Sequence, residues 1–150
     1  MRKVALIVVV LLLVVAVVPA AAKGKPLDVE IVSVETFDPP GGVFNASGSA
    51  VPGLICESGT TEVKSWAWHK EWRTASSIKK FTCDDNGGIF YVKLEIKFTD
   101  TGTWANWVVV DWAEDPSEYD LSELKGQGRL IGVRDVPPGA ITDTYTGQLH

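Results

Sequence analysis

Hydrophobic and polar residues alternate along most of the chain after its first 22 residues. The clearest example is Ile89–Phe98, where lysine and glutamate occupy one face and the other face is apolar, with Phe90, Val92, Leu94, Ile96 and Phe98. A strict period of two with β-branched and aromatic residues predicts a half-buried antiparallel strand. Residues 84–88 before it tolerate positive φ and predict a turn, so residues 77–83 are expected to be the hairpin partner.

Six further segments have the composition of strands: residues 27–37, 43–50, 61–72, 103–112, 128–136 and 141–149. Stretches rich in Pro, Gly, Asp or Ser separate nearly all of them, and only residues 118–125 suit a helical turn. The pattern therefore predicts one all-β domain over residues 23–150, with about eight antiparallel strands. A closed barrel of successive hairpins is favoured over a β-sandwich, because only two candidate strands separate the two cysteines.

The first 22 residues have the pattern of a secretory signal peptide. Arg2 and Lys3 precede an apolar run over residues 4–18, which Pro19 and three alanines end. The run is shorter than the roughly 20 apolar residues that a spanning helix needs. Cleavage before Lys23 would leave a secreted or otherwise extracytoplasmic chain, extracellular or periplasmic, with no membrane segment.

Removal of this segment changes the charge of the chain. Arg2 and Lys3 are the only charges lost, so 12 basic and 19 acidic residues remain, a net charge of −7. An acidic chain of this size is not a basic nucleic-acid binder, and it is not expected to dock on anionic lipid.

An oxidising compartment gives the two cysteines a role. Cys56 and Cys83 are expected to form a disulfide, and closing a loop of this length stabilises a fold by about 3 to 4 kcal/mol. Neither His69 nor His150 lies near a cysteine at metal-ligand spacing. We therefore expect no metal and no cofactor.

The six tryptophans are the main candidates for ligand binding. Trp66, Trp68 and Trp72 share one face of their segment. A second shared face on the segment 103–112 carries Trp104 and Trp112 with Val108 and Val110, and Trp107 points the other way. Such indoles either fill the barrel or line a pocket for a small apolar or carbohydrate ligand. The ligand-binding candidates are Trp66, Trp68 and Trp104, but core packing is favoured, because aromatic residues commonly dominate the burial of small β cores.

No nucleophile elbow, metal-binding histidine pair, phosphate-binding glycine loop or Ser/His/Asp order is present in the sequence. An isomerase that acts by shape with one buried carboxylate would leave no such motif, and Glu62, Glu95 or Asp143 would suit that role. His69 is expected to be exposed. Residues 111–123 hold six carboxylates, a pattern typical of a solvated loop, with a hard cation such as calcium as the alternative. Residues 45–47 form a glycosylation acceptor in a eukaryotic host.

Five short strings in this order cover most of the chain after residue 22: Phe44-Asn45-Ala46-Ser47-Gly48, Cys56-Glu57-Ser58-Gly59-Thr60, Phe81-Thr82-Cys83-Asp84-Asp85, Leu124-Lys125-Gly126-Gln127-Gly128 and Asp143-Thr144-Tyr145-Thr146-Gly147. The arrangement resembles small secreted prokaryotic proteins related to the allene oxide cyclase and dirigent β-barrels. That resemblance implies an eight-stranded antiparallel barrel with a central cavity, and it transfers no catalytic residue. The chain departs from the group at residues 113–120, which are acidic where a Gly-Thr-Gly turn is usual.

Three functions follow as hypotheses. The first is a secreted barrel without chemistry of its own, which binds a small apolar or carbohydrate ligand or serves as a surface module. The second is an allene oxide cyclase-like isomerase or cyclase that acts in the barrel cavity. The third is a structural module whose outward aromatic residues, such as Trp107 and Tyr91, form an oligomer interface. The sequence leaves the ligand, the state of the barrel interior and the oligomeric state open.

Overall fold

A computed structural model describes residues 24–38, 40–69, 73–112, 121–135 and 139–150 of the chain. Eight strands follow one another in sequence: β1 (Leu27–Phe37), β2 (Pro40–Ser47), β3 (Ser58–Trp68), β4 (Thr74–Cys83), β5 (Ile89–Phe98), β6 (Gly102–Val110), β7 (Gly126–Arg134) and β8 (Ala140–Leu149). Each strand pairs antiparallel with the next, and β8 pairs with β1, so the sheet closes into a barrel. The predicted all-β barrel is confirmed, and the sandwich alternative is wrong.

The strongest sequence prediction, the strand β5, is confirmed with its pattern of burial. Its five inward residues are apolar, and the outward Lys93, Glu95 and Lys97 are exposed. In the turn before β5, Asn86 has a φ of 58° and Gly88 a φ of 104°, as the turn chemistry predicts. The partner strand β4 begins three residues before the predicted start at residue 77.

One end of the barrel is closed by aromatic packing. The Phe81 ring stacks on Phe90 at 4.8 Å between centroids, and Phe44 meets Phe81 edge-on at 5.3 Å. The predicted disulfide joins Cys56, in the loop between β2 and β3, to Cys83 at the end of β4. This covalent link holds the loop against the closed end and fits an extracytoplasmic protein.

Trp107 faces the interior, and Tyr91 is covered by its neighbours, so neither side chain is exposed to form the predicted interface. Trp107 is 3% exposed inside the barrel, where its Nε1 donates to the carbonyl oxygen of Arg129 at 3.0 Å. Its indole fits there because Gly128, across on β7, has no side chain to occupy the same space. Tyr91 lies on the outer side of β5 but is 1% exposed, and it packs edge-on against Trp112 at 5.4 Å.

The signal-peptide segment, Trp72 and residues 113–120 of the acidic segment lie outside the described residues. In the part of the chain that is described, no helix is both long enough and apolar enough to cross a membrane.

Candidate functional site

A bulge in β3 decides where its tryptophans point. The register of β3 against β4 shifts between Val63 and Ser65, so Trp66 pairs with Ser77 and Trp68 pairs with Ala75. Paired residues of antiparallel strands point to the same side of the sheet, and Ser77 and Ala75 both face the interior. The extra residue therefore turns both indoles toward the inside of the barrel.

These indoles stand at an open end of the barrel interior. Trp66 and Trp68 are 5.3 Å apart, and Phe98 lies 6.1 and 5.1 Å from them, measured between ring centroids. We call these three rings the aromatic mouth; the two indoles remain 41% and 48% exposed. Below the mouth lies a cavity of about 590 Å³, whose walls include four aliphatic side chains: Leu94, Ile96, Leu130 and Ile141.

Trp104 does not line this cavity, so that part of the sequence prediction is wrong. It pairs with Lys97 on β5 and Ile131 on β7, which are exposed on the outer surface, and is itself 40% exposed. A strand alternates sides at every residue, so the inward position of Trp107, three residues along, places Trp104 outside.

The bottom of the cavity is a buried cluster of charged side chains: Glu35, Lys79 and Asp143. Together with Tyr145, which Lys79 contacts, we call this cluster the charged floor. Lys79 Nζ on β4 lies 3.0 Å from Glu35 Oε1 on β1 and 3.0 Å from Asp143 Oδ2 on β8. It also donates to the Tyr145 hydroxyl at 3.1 Å. Because Lys79 reaches across the barrel to two other strands, the charged floor separates the packed closed end from the open cavity.

The neighbouring strands are shaped to hold the two acids. Glu35 Oε1 also accepts hydrogen bonds from Ser33 Oγ at 2.9 Å and Thr61 Oγ1 at 2.8 Å. The register partner of Glu35 is Gly42, where an added Cβ would lie 2.8 Å from the Glu35 carboxylate. A methyl group at this position would displace the buried acid.

Asp143 has the same arrangement on the other side of the charged floor. Its register partner on β7 is Gly132, where an added Cβ would collide with Asp143 Oδ1 and with Thr103 Oγ1. Each acid therefore lies across from a glycine on an adjacent strand, which provides the space for a carboxylate inside a narrow barrel.

Burial and mutual charge shift the titration of this cluster. Burial raises the pKa of Asp143; Lys79 lowers it in part, and Glu35 raises it further. Burial also raises the pKa of Tyr145 well above its ordinary value. Burial alone would lower the pKa of Lys79, but its interactions with Tyr145, Asp143 and Glu35 outweigh burial and hold that pKa above its ordinary value. Lys79 is therefore a fixed cation at neutral pH.

The three carboxylates that the sequence suggests for an isomerase lie in different parts of the barrel. Asp143 is buried in the charged floor, and Glu62 lies at the edge of the cavity with its side chain 60% exposed. Glu95 is on the outer surface, where Lys93 lies 2.9 Å away and His69 lies 3.9 Å away. His69 is exposed, as expected.

Sequence reasoning missed Glu35 and Lys79. The alternation contained this signal, because Glu35 lies on the same face of its strand as Ile31 and Ser33. Lys79 likewise lies on the same face as Phe81. A lone charged residue on an apolar face usually contradicts a strand pattern. Here it marks a charge whose partners come from distant strands.

Among the described residues, one cluster has the ligand types of a metal site, formed by Cys56, Cys83 and Asp85. Both sulfur atoms are consumed in the disulfide, so neither is available as a thiolate ligand. The cation alternative for the acidic segment rests mainly on residues 113–120, outside the described part.

Comparison with known proteins found no match: no family model, no curated protein and no solved structure matches the chain. The resemblance to allene oxide cyclase and dirigent barrels stays a prediction from the sequence.

Proposed function

We propose that this protein is a binding barrel, which takes a small and largely apolar ligand into its cavity without changing it. The observation that carries the proposal is the open half of the interior. Eight-stranded barrels either fill their interior with side chains or hold one small ligand. A cavity of about 590 Å³ with aliphatic walls lies in the size range of small-molecule sites.

The distribution of polar groups favours an apolar ligand over a carbohydrate. A sugar carries hydroxyl groups along its whole length and needs hydrogen-bond partners at each level of its site. In this cavity the walls include Leu94, Ile96, Leu130 and Ile141. The buried charged groups lie in the charged floor, and the exposed Glu62 and Arg134 lie at the cavity edge. This arrangement suits an apolar body with one polar end.

The place of action that we propose is outside the cytoplasm. The disulfide between Cys56 and Cys83 supports it, because such bonds persist in oxidising compartments. The predicted signal peptide over residues 1–22 is the second support.

A second candidate function is an isomerase or cyclase, favoured by Asp143. A buried carboxylate with a raised pKa beside an apolar cavity has the character of a general acid or base. The two functions differ in what happens to the ligand. A ligand recovered with unchanged chromatographic retention after long incubation supports binding. Conversion that Asp143→Asn abolishes supports the isomerase.

The binding proposal is tested with two matched tryptophan variants. Trp68 and Trp104 are similarly exposed, but only Trp68 belongs to the aromatic mouth. A panel of terpenoids, hydrophobic acids and oligosaccharides is first screened by thermal shift, where a ligand at a hundred times its Kd adds about 2.7 kcal/mol. We expect Trp68→Ala to weaken binding of a hit about tenfold or more, and Trp104→Ala to leave it unchanged. No hit for the wild type, or equal binding by both variants and the wild type, would overturn the proposal.

A further inference from the structure

The N–H donors of Lys79 in the charged floor are already in use. An ammonium group has three N–H donors. Those of Lys79 point to Glu35 at 3.0 Å, Asp143 at 3.0 Å and Tyr145 at 3.1 Å. Lys79 thus has no donor left for the carboxylate of a ligand. An anion that reached the bottom of the cavity would instead approach the two acids.

Acceptors, by contrast, are in surplus. Asp143 is buried, with its side chain only 7% exposed, and its Oδ1 atom has no hydrogen-bond partner among the described residues. An unsatisfied buried acceptor costs about 1 to 3 kcal/mol, so a donor supplied from outside is favoured there. The atom lies beside Gly132 and near Thr103, a residue of the cavity wall. Asp143 lines the cavity, and carboxylate torsions are broad, so rotation of the side chain can bring Oδ1 to the cavity wall.

The charge of the site also favours a ligand that donates hydrogen bonds and carries a positive charge. When both acids are ionised, the carboxylates of Glu35 and Asp143 face the single ammonium of Lys79, which leaves one negative charge in surplus at the floor. Charges act more strongly there than in water, because the surroundings are apolar and buried. The ring faces of the aromatic mouth also attract cations. Arg134 lies at the cavity edge with the opposite sign, but it is exposed and water screens it.

Given the binding function proposed above, we propose that the cavity selects an amphipathic amine, whose apolar body lies between the aliphatic walls and whose protonated amino group donates to Asp143. The aromatic mouth surrounds the path of entry. Fatty acids and other anionic amphiphiles are disfavoured by the same charges.

The test compares three probes that share a ten-carbon chain and differ only in the head group: decylamine, decanol and decanoate. Titration calorimetry at neutral pH, below the micelle concentration of each probe, gives their affinities for the whole protein. At that pH the amine is a cation and the acid an anion. We expect the affinity to fall from decylamine through decanol to decanoate, with a difference of about tenfold or more between the two ions.

Asp143→Asn locates the effect while keeping the size of the side chain. It is expected to weaken decylamine binding about tenfold and to leave decanol binding within about twofold. Retained decanol binding shows that the cavity is intact in the variant. The control Glu95→Gln removes an exposed carboxylate on the outer surface and should leave all three affinities unchanged. The order of the three affinities is measured on the wild type, so it still tests the amine preference if Asp143→Asn does not fold.

The outcomes separate this inference from the binding function. Equal affinities, or tighter binding of decanoate, would overturn the amine preference and leave a binding barrel. A preference for decylamine that Asp143→Asn does not reduce would overturn the assignment to Asp143. Absence of binding by all three probes would count against both proposals, and the wider panel with Trp68→Ala then tests the binding function alone.

Discussion

Replacing Lys79 by methionine removes the ammonium that Glu35, Asp143 and Tyr145 share, and it keeps most of the apolar stem. The two carboxylates would then remain buried without a counter-charge, at side-chain exposures of 9% and 7%. Breaking a buried ion pair in this way costs about 3 to 5 kcal/mol. The stability of a whole domain is about 5 to 15 kcal/mol, so Lys79→Met should remove a large part of it.

The loss should depend on pH with a defined sign. In the variant, burial and the charge of Glu35 raise the pKa of Asp143 above its value in the unfolded chain, about 4, with no ammonium to oppose them. The folded variant then binds more protons than the unfolded chain between these two pKa values. The free energy of unfolding therefore increases as the pH falls through the raised pKa, and part of the lost stability should return between pH 7 and about pH 5.

Urea unfolding followed by tryptophan fluorescence at pH 7 and pH 5 measures both effects, with the buried Trp107 as one reporter. The matched control is Lys93→Met, because the Lys93 side chain is 46% exposed and pairs only at the surface; its cost should stay within about 0.5 kcal/mol. Adding Glu35→Gln and Asp143→Asn to Lys79→Met should restore part of the stability. A cost for Lys79→Met no larger than that of the control, or the same cost at both pH values, would refute the buried ion cluster.

Two further predictions concern the strand β5 and the processing of the chain. Leu94 is 1% exposed, so Leu94→Ala should lower the free energy of unfolding by about 2 to 5 kcal/mol. The outward control, Lys93→Ala, should change it by no more than about 0.5 kcal/mol. Equal small effects of both substitutions in denaturant melts would contradict the inward position of Leu94. The intact mass of secreted protein should correspond to a chain that begins at Lys23 with both cysteines oxidised, and retention of residues 1–22 or two alkylatable thiols would contradict the secretory prediction.

The strands of the barrel were predictable from the sequence because each depends on local pattern. The bounds of β1 and β5 match the prediction, and the turn before β5 follows from residues that adopt positive φ. Strands that start or end irregularly were less well predicted. The segment 61–72 was expected as one strand, but β3 begins at Ser58, contains a bulge and ends at Trp68.

The candidate site was only partly predictable. The shared face of Trp66 and Trp68 is a local property, and the sequence offers Asp143 among three possible acids. Local alternation does not determine which face of a strand points into the barrel, and for this reason Trp104 and Trp107 were assigned to the wrong sides. The Trp107 indole points into the barrel because Gly128, which is on another strand, leaves space for it.

The sequence by itself determined the all-β class, the number of strands, their order as hairpins and the pairing of the two cysteines. All of these follow from alternation, turn residues and cysteine count within short segments. Only the tertiary structure decided that the interior is open at one end and charged at its floor. Lys79 meets Glu35 and Asp143 at sequence separations of 44 and 64 residues, because closure of the barrel brings β4 opposite β1 and β8. A period of two places each of these residues on a face, but the partners that make a buried charge tolerable come from strands far away in the chain.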